Sequence, residues 1–444
     1  MQKRVLVGML ILGLLCGLGG CFLEPAENLY AVPRQPESFY NLQSAIEKVM
    51  GEGTTYSPPT AGENQQAVQL KDLSGNGEEE AIVFWRSDGE LPLLMSVFAK
   101  RDGQYREIAR ADGIGNAFDR VIYADVDRDG CNEIIVGRKV GDNVLQTLNI
   151  FALRGDKLEE LLSANYSEMV VTDLNADGGN DLFLLRQDTE RTNGTAEYYL
   201  WQNGAFVRQR EAELSAPVGS VKRIITGKMS RQTDALAVFV ASAYGETGGI
   251  ITDVFCFLNG DFTNLTMRED TDTDVQTVRD YYVYSCDIDS DGLIEIPRLI
   301  AMPTIPGESE PQEQSLICWY NLLPDGKRED KLLTYHNYAG GWYLVIPWKW
   351  QPTLSLQQST SESNTLARRF VRVENGEAEP VFTITSVTGD YASKLLLDNG
   401  WQELRRKGDV TYFCRIEDGV NVSREELQEM FHFIRVDWNT GETD

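Results

Sequence analysis

Short apolar or alternating runs recur along the chain between about residues 65 and 330, and polar turns separate them. Runs at residues 67–70, 121–123, 169–171 and 282–284 come before acidic turns, and runs at residues 81–84, 134–136 and 182–185 follow them. Other runs, such as residues 93–98 and 145–151, fill the intervals. Because the runs are short and rich in β-branched and aromatic residues, they predict strands. Pro297 interrupts the run at residues 296–300, which favours an edge strand or a bulged strand there.

Four copies of one nine-residue turn lie between these predicted strands. Each copy has an acid at position 1, Ser, Asn or Asp at position 3, Asn or Asp at position 5, Gly at position 6 and an acid at position 9. We name them the first, second, third and fourth acidic loops, which begin at Asp72, Asp125, Asp173 and Asp287. The last interval is about twice the others, so we expect a further copy inside it. Residues 221–240 fit, with Gly227 at position 1 and the carboxylates lost.

The repeat predicts a mainly β protein. Four short strands in every ~50 residues are typical of a β-propeller blade, so we expect a propeller of about five to seven four-stranded blades over residues 67–335. A small α+β domain is predicted to follow at residues 336–444. Its expected strands are residues 341–347, 370–373, 380–386 and 410–415, and its expected helices are residues 391–397 and a helix that Ser423 and Glu426 begin with a capping box.

Oxygen-bearing residues at alternate positions predict a calcium site in each acidic loop. Calcium takes about six to eight hard oxygen ligands, and a glycine at position 6 permits the sharp turn that brings positions 1, 3 and 5 together. The backbone carbonyl at position 7 and the acid at position 9 complete the set. The predicted ligands are Asp72, Ser74, Asn76, Glu78 and Glu80 in the first loop, Asp125, Asp127, Asp129, Cys131 and Glu133 in the second, Asp173, Asn175, Asp177, Gly179 and Asp181 in the third, and Asp287, Asp289, Asp291, Leu293 and Glu295 in the fourth.

The loops differ in charge, and other cation sites fit them less well. The second and fourth loops carry four acids each, the third carries three, and the first has two and is predicted to bind weakly or not at all. An EF-hand is excluded, because its bidentate acid at position 12 is replaced by Val83, Val136, Leu184 or Arg298 and a strand follows. Magnesium is disfavoured because it usually keeps several waters. Solvated acidic turns without a metal remain the alternative.

These loops resemble the calcium-binding loops of FG-GAP/VCBS repeats, which occur in the integrin α-chain propeller and in many bacterial surface proteins. The resemblance covers roughly residues 65–330 and implies a calcium-stabilised β-propeller. The chain departs from that pattern, since clear Phe-Gly and Gly-Ala-Pro elements and an inserted ligand domain are absent from the sequence. Its five copies are also fewer than the seven blades of the integrin propeller.

The first twenty residues have the pattern of a secretion signal. A basic start is followed by an apolar run at residues 5–18, which is too short for a comfortable membrane span. The run ends in Leu18, Gly19, Gly20 and Cys21, which resembles a bacterial lipobox. We therefore expect a signal peptide at residues 1–20, lipid on Cys21 and attachment to the outer face of the cell membrane, with an ordinary signal peptide as the alternative. Residues 21–66 are expected to be a linker with one amphipathic helix at residues 39–50.

Composition excludes several functions. Lys plus Arg number 41 against 68 Asp plus Glu, and a net charge of -27 argues against binding to nucleic acid. His336 and His432 are the only histidines, so a three-histidine zinc site is excluded. Five cysteines follow Cys21 without a CxxC motif, which predicts small buried side chains and leaves one disulfide open.

Three functional hypotheses follow. The leading one is a membrane-anchored, non-enzymatic lipoprotein whose calcium-stabilised propeller presents a surface for an unknown protein or carbohydrate ligand. The second is a glycoside hydrolase or polysaccharide lyase that acts on extracellular polysaccharide, since two carboxylates suffice for glycosidase chemistry. The third is a structural role in the cell envelope. The sequence identifies no catalytic pair, and the acidic loops are expected to be structural.

Overall fold

The computed structural model describes residues 37–435, apart from residues 142–145, 187–193, 216–220, 245–248, 259, 268–276, 280–282, 308–313 and 358–366. This part of the chain is mainly β, as predicted, with 27 strands and three α-helices. The predicted signal peptide and Cys21 lie outside the described residues. Within those residues, no helix combines the length and hydrophobicity that a membrane span requires.

The strands form six antiparallel sheets that follow chain order. Sheet 1 contains β1 (Thr55–Tyr56), β2 (Val68–Lys71), β3 (Glu80–Arg86), β4 (Leu93–Arg101) and β5 (Gln104–Gly113). Sheet 2 contains β6 (Ala117–Ala124), β7 (Glu133–Lys139), β8 (Gln146–Arg154) and β9 (Lys157–Tyr166). Sheet 3 contains β10 (Glu168–Thr172), β11 (Asp181–Arg186), β12 (Thr195–Gln202) and β13 (Ala205–Glu213). Sheet 4 contains β14 (Val221–Lys228), β15 (Leu236–Tyr244), β16 (Gly249–Leu258) and β17 (Asp261–Asn264).

The last two sheets are larger and take up the C-terminal part of the chain. Sheet 5 contains β18 (Ile296–Ala301), β19 (Ser315–Leu322), β20 (Arg328–Asn337), β21 (Trp342–Ile346) and β27 (Phe431–Phe433). Sheet 6 has the order β22 (Leu354–Gln357), β23 (Arg368–Glu374), β24 (Glu377–Thr388), β26 (Val410–Ile416) and β25 (Gln402–Lys407). The helices are α1 (Glu37–Val49), α2 (Asp390–Asp398) and α3 (Arg424–Met430), and short 3-10 helices cover Leu265–Met267 and Trp348–Trp350. Ser423 and Glu426 form the predicted capping box at the start of α3.

Each sheet packs face to face on the next one along the chain. Aromatic contacts mark three of these interfaces: Phe84 lies 5.0 Å from Phe118 between sheets 1 and 2, Phe183 lies 5.5 Å from Phe255 between sheets 3 and 4, and Tyr335 lies 5.1 Å from Phe370 between sheets 5 and 6, measured between ring centroids. Hydrophobic clusters of mixed aliphatic and aromatic residues join sheets 2 and 3, and sheets 4 and 5. The outer strands β5, β9, β13 and β17 also contact one another in that order. Both faces of the middle sheets are therefore buried.

Helix α1 covers the other face of sheet 1. Leu42, Ala45 and Ile46 pack on Val83 and Trp85 of β3, whereas Phe84 points the opposite way into sheet 2. This division follows from the alternation of side chains along a strand. Among the described residues, no core cluster joins sheet 6 to sheet 1. The helix thus takes the place of a neighbouring sheet on this face of sheet 1.

The end of the acidic pattern at residue 335 does not coincide with a structural boundary. Residue 335 lies inside β20, and sheet 5 continues through β21 to β27. One hydrophobic cluster holds Cys318 and Leu344 of sheet 5 together with Phe370, Ile384 and Cys414 of sheet 6. Strand pairing and core packing therefore continue beyond the point at which the acidic repeat ends.

The flanks of the fourth acidic loop depart from those of the other three. The strand predicted at residues 282–284 is not formed in its described part, because Val283 and Tyr284 belong to no strand and residue 282 lies outside the described residues. An isolated bridge between Cys286 and Glu295 stands in its place. Pro297 lies in β18, which pairs with β19 at one edge of sheet 5, as predicted.

The predicted copy at residues 221–240 forms the hairpin of β14 and β15. Its Gly227 lies against Ile294 of the fourth acidic loop, where any larger side chain would overlap the isoleucine.

The cysteines are placed much as the sequence predicted. Those after Cys21 are free thiols, with Cys256, Cys286, Cys318 and Cys414 buried and Cys131 partly exposed.

Candidate metal centres

The four acidic loops have one common backbone shape. Position 4 has a positive φ of 61° to 67° in every loop, at Gly75, Arg128, Ala176 and Ser290. Position 6 has a positive φ of 83° to 88°, at Gly77, Gly130, Gly178 and Gly292. Side chains with a Cβ avoid this left-handed region, which explains the glycine at position 6. Two left-handed residues so close together curl the loop back on itself.

The first and last acids of each loop make the same two hydrogen bonds in all four loops. The carboxylate at position 1 accepts from the N–H of the glycine at position 6 over 2.8 to 3.0 Å. The carboxylate at position 9 accepts from the N–H at position 2 over 2.9 to 3.1 Å. Position 2 is a buried apolar residue, namely Leu73, Val126, Leu174 or Ile288. The core thus holds the second residue, whose N–H anchors the carboxylate at position 9.

The second loop has the arrangement best suited to a cation. Carboxylate oxygens of Asp125, Asp127 and Glu133 lie within 4.8 Å of one another. The Glu133 side chain is fully buried, and its Oε2 accepts from Val126 N–H at 2.9 Å. Its Oε1 is buried without a hydrogen-bond partner among the described residues. An unpaired buried carboxylate oxygen is costly, and a bound cation would offset that cost.

Burial also raises the pKa of the acids at position 9 of the second, third and fourth loops. It raises the pKa of Glu133 to about 7, and the nearby charges of Asp127 and Asp129 act in the same direction. Burial likewise raises the pKa of Glu295 to about 7 and that of Asp181 to about 6. Desolvation disfavours a lone carboxylate in each case, whereas a divalent cation would favour the charged form.

The fourth loop brings a different set together. Oxygens of Asp287, Asp289 and Asp291 lie within 4.8 Å of one another. Glu295 is buried as expected, but its Oε1 accepts from Asn321 Nδ2 at 2.7 Å. That amide belongs to β19, outside the nine-residue loop, so the loop pattern could not predict it. The fourth loop therefore offers a three-aspartate cluster with its position 9 acid already paired.

The first loop closes on itself. Glu80 accepts from Leu73 N–H through Oε2 and from Ser74 Oγ, at 3.2 Å, through Oε1. Asn76 Oδ1 accepts from Glu78 N–H at 2.7 Å. Hydrogen bonds within the loop thus satisfy both oxygens of Glu80.

In the third loop, an aromatic hydroxyl reaches the candidate ligands. Asn175 Nδ2 donates to Tyr198 Oη at 3.0 Å and to Asp177 Oδ2 at 3.2 Å. Asp173 accepts from Gly178 N–H at 2.8 Å, and Gly179 N–H donates to Asp177 at 3.1 Å. Tyr198 comes from β12, so the sequence motif gave no sign of it.

Arginines contact the acid at position 5 of all three strongly acidic loops. Arg154 at the end of β8 donates to Asp129 at 2.6 Å and also to Asp127. Asp177 accepts from Arg128, and Asp291 accepts from Arg231 at 3.0 Å. Each guanidinium partly neutralises an acidic loop. These residues lie outside the ligand positions, so the spacing that identified the loops could not indicate them.

A separate charged cluster lies on β6 and β10. Asp119 accepts from Arg120 Nε at 3.0 Å and from the Tyr166 hydroxyl at 2.8 Å. Arg120 Nη2 lies 3.1 Å from Glu168 Oε2, and Lys139 Nζ lies 3.4 Å from Asp119. Burial raises the pKa of Glu168, although Arg120 opposes the shift. The cluster therefore holds two carboxylates around one guanidinium, away from the acidic loops.

Comparisons with known proteins add little to this geometry. The sequence matches neither a protein-family description nor a curated protein. Similar solved structures include the exotype rhamnogalacturonan lyase YesX, at 12% identity and a TM-score of 0.26 over 73% of this chain and 72% of that chain. Another is Saccharomyces cerevisiae Sqt1, at 11% identity and a TM-score of 0.30 over 68% and 84%. A third is a rhamnogalacturonan lyase from Bacillus licheniformis, at 14% identity and a TM-score of 0.26 over 74% of this chain and 71% of that chain. Similarity this low carries no argument about family or function.

Proposed function

We propose that the second, third and fourth acidic loops bind calcium and that the bound ions stabilise an FG-GAP/VCBS-like propeller. The protein is then an extracellular lipoprotein, anchored through lipid on Cys21, that presents a surface for a protein or carbohydrate ligand. The first loop contributes little, because it carries the fewest acids among its ligand positions and its own hydrogen bonds satisfy Glu80.

The observation that carries the proposal is the unpaired oxygen of Glu133. It is buried beside Asp125 and Asp127, and their oxygens fall within 4.8 Å of one another. Calcium prefers such hard oxygen ligands and tolerates irregular geometry. When bound, it would supply positive charge to these acids. The residues that would hold it are Asp125, Asp127, Asp129 and Glu133.

A propeller explains the packing of sheets 1 to 5. Each sheet buries its faces against its neighbours, and the acidic loops of sheets 1, 2 and 3 contact one another in that order. Helix α1 lies against sheet 1 where the last blade of a closed ring would pack. In this proposal the five sheets are successive blades, and α1 covers the outer face of the first.

Calorimetric titration tests the metal proposal. Purified protein stripped with EDTA should bind about three calcium ions per chain, with magnesium binding far more weakly. Absence of calcium uptake would contradict the assignment. Magnesium uptake of equal strength would contradict the choice of metal.

The anchor has its own test. The wild-type chain expressed in a bacterial host should incorporate labelled fatty acid and remain with the membrane fraction. Cys21→Ser should abolish the label, and Cys131→Ser should leave it unchanged. Equal labelling of both variants would show that Cys21 is not the lipid site.

Polysaccharide cleavage is the second candidate, and the cluster on β6 and β10 favours it. Asp119 and Glu168 both pair with Arg120, and glycosidase chemistry uses two carboxylates. A panel of acidic and neutral polysaccharides, followed by new reducing ends and by the ultraviolet absorbance of unsaturated uronates, tests it. Activity that Glu168→Gln abolishes and Glu90→Gln retains would favour the enzyme over the binding protein.

A further inference from the structure

Neighbouring acidic loops are linked by an asparagine at position 8. Asn132 Nδ2 of the second loop donates to the backbone carbonyl of Asp72, which is position 1 of the first loop, at 3.1 Å. Asn180 Nδ2 of the third loop donates in the same way to the carbonyl of Asp125 at 3.0 Å. Each bond ends on the residue whose carboxylate begins the preceding loop. A change in either loop is therefore transmitted to the other through one short contact.

Arg128 makes the return contact from the second loop to the third. Its backbone N–H donates to Asp125 Oδ1 at 2.7 Å, and its guanidinium donates to Asp177 Oδ1. The same guanidinium lies over Gly179, where any Cβ would overlap it. One residue thus contacts a candidate ligand of each loop, and the glycine at position 7 of the third loop makes room for it.

The second and third loops are consequently linked in both directions. The first loop contacts the second through Asn132 and through the close approach of Gly75 to the Gly130 carbonyl. In the fourth loop, position 8 is Ile294, and it packs on Gly227 of the copy that has lost its carboxylates. Among the described residues of the four acidic loops, an asparagine and an arginine that link two loops in opposite directions occur only between the second and third.

Two opposing effects determine the sign of the coupling. The charge of Arg128 repels a cation in the third loop, but the side chain is 43% exposed and water screens it. Against this, a cation in the second loop fixes Asp125, and with it the Arg128 backbone and the Asn180 amide. Those groups hold Asp177 and the third loop in their curled form before the second ion arrives. Reducing the conformational freedom of a binding site in advance raises its affinity.

We propose that Arg128 and Asn180 couple the two sites, so that a cation in the second loop raises the affinity of the third. This inference rests on the proposed function, since it requires both loops to bind cations. Linkage makes the effect reciprocal: a cation in the third loop raises the affinity of the second by the same factor.

Terbium luminescence tests the proposal, because terbium occupies calcium sites and a nearby tyrosine sensitises its emission. Tyr198 Oη lies 3.0 Å from the Asn175 amide, so it reports on the third loop. Emission that Tyr198→Phe removes is assigned to that loop. Asp127→Asn is then used to weaken cation binding by the second loop. Asp127 makes no hydrogen bond to the described part of the third loop.

In the wild-type background, Asp127→Asn should weaken terbium binding at the third loop at least about five-fold. In a chain that also carries Arg128→Ala and Asn180→Ala, the same substitution should have no effect. Asn132→Ala is the matched control, since it removes the first-to-second link and should preserve the five-fold change.

The outcomes are distinct. No Tyr198-dependent emission in the wild type would refute the cation site of the third loop and the coupling with it. Emission that Asp127→Asn leaves unchanged would refute the coupling alone, as would an equal change in both backgrounds. If the double substitution prevents folding, as judged by circular dichroism, Asn180→Ala alone replaces it and must reduce the five-fold change.

Discussion

Equivalent acids in the repeat have different surroundings, and those surroundings determine what each can do. Glu133 and Glu295 both occupy position 9, and burial raises the pKa of each to about 7. Glu295 has a partner in Asn321, whereas Glu133 Oε1 has none among the described residues. The spacing of acids predicted where the loops lie, and the number of acids ranked them by charge. It could not predict Asn321 or Arg154, because these residues come from strands that only the folded sheets bring alongside.

The unpaired oxygen of Glu133 makes its neutral variant informative. Glu133→Gln keeps the side-chain shape and removes a buried charge, so the EDTA-treated variant should be more stable than wild type by about 1 to 3 kcal/mol. The same variant should gain less stability from calcium, because a ligand is lost. Urea unfolding with calcium and with EDTA measures both effects.

Glu90→Gln is the control for that experiment, since Glu90 is exposed and lies outside the acidic loops. It should match wild type in both conditions. A Glu133→Gln chain that responds to calcium as fully as wild type does would remove Glu133 from the site.

Protonation of His336 should make folding depend on pH. Its ring lies 5.0 Å from Tyr343 and 5.9 Å from Trp319, and burial lowers its pKa to about 3. The unfolded chain binds this proton near pH 6.5, so stability from this group is complete above that pH and is lost as the pH falls from about 6.5 towards 3. Urea unfolding at pH 7.5 and pH 5.5 measures the loss.

His336→Phe keeps an aromatic ring at the same place and cannot take up the proton. Its free energy of unfolding should fall less than that of wild type between the two pH values. Equal losses in the two proteins would show that His336 does not account for the effect.

At the scale of elements, hydrophobic patterns identified the strands well where both flanks of a loop are regular. Residues 81–84 and 134–136 lie in β3 and β7, and the helix after Ser423 has its capping box. The prediction was wrong at Val283 and Tyr284, which lie in no strand. An apolar triplet is compatible with burial outside a sheet, and these two side chains are buried without strand pairing.

Helix α1 was expected from its amphipathic sequence, but its place against sheet 1 was not. Ile46 is 3% exposed and packs beside Val83 and Trp85. Ile46→Ala should therefore lower the free energy of unfolding by about 2 to 4 kcal/mol, the usual cost of a cavity in a core. Chemical unfolding measures the change.

Tyr40→Ala serves as the comparison on the same helix, because Tyr40 is 56% exposed. It should cost much less than Ile46→Ala. Similar, small losses for both variants would show that α1 is not an integral part of the first sheet's core.

At the scale of the whole molecule, the repeat predicted the order of the sheets but not how the array ends. Its interval indicated four-stranded units, and sheets 2, 3 and 4 have four strands each. The predicted boundary at residue 335 lies within β20, because sheet 5 recruits β21 and β27 after the acidic pattern has stopped. Long-range pairing of this kind leaves no local signal. The helix that covers sheet 1 is equally a matter of tertiary packing.

The most direct test of the calcium account is thermal unfolding of the protein with excess calcium and with EDTA. A ligand that binds only the folded state raises the melting temperature, so we expect a markedly lower melting temperature in EDTA and a much smaller difference for Asp129→Ala. The same melting temperature in both conditions would contradict the account, because ions that hold the acidic loops closed cannot be removed without a loss of stability.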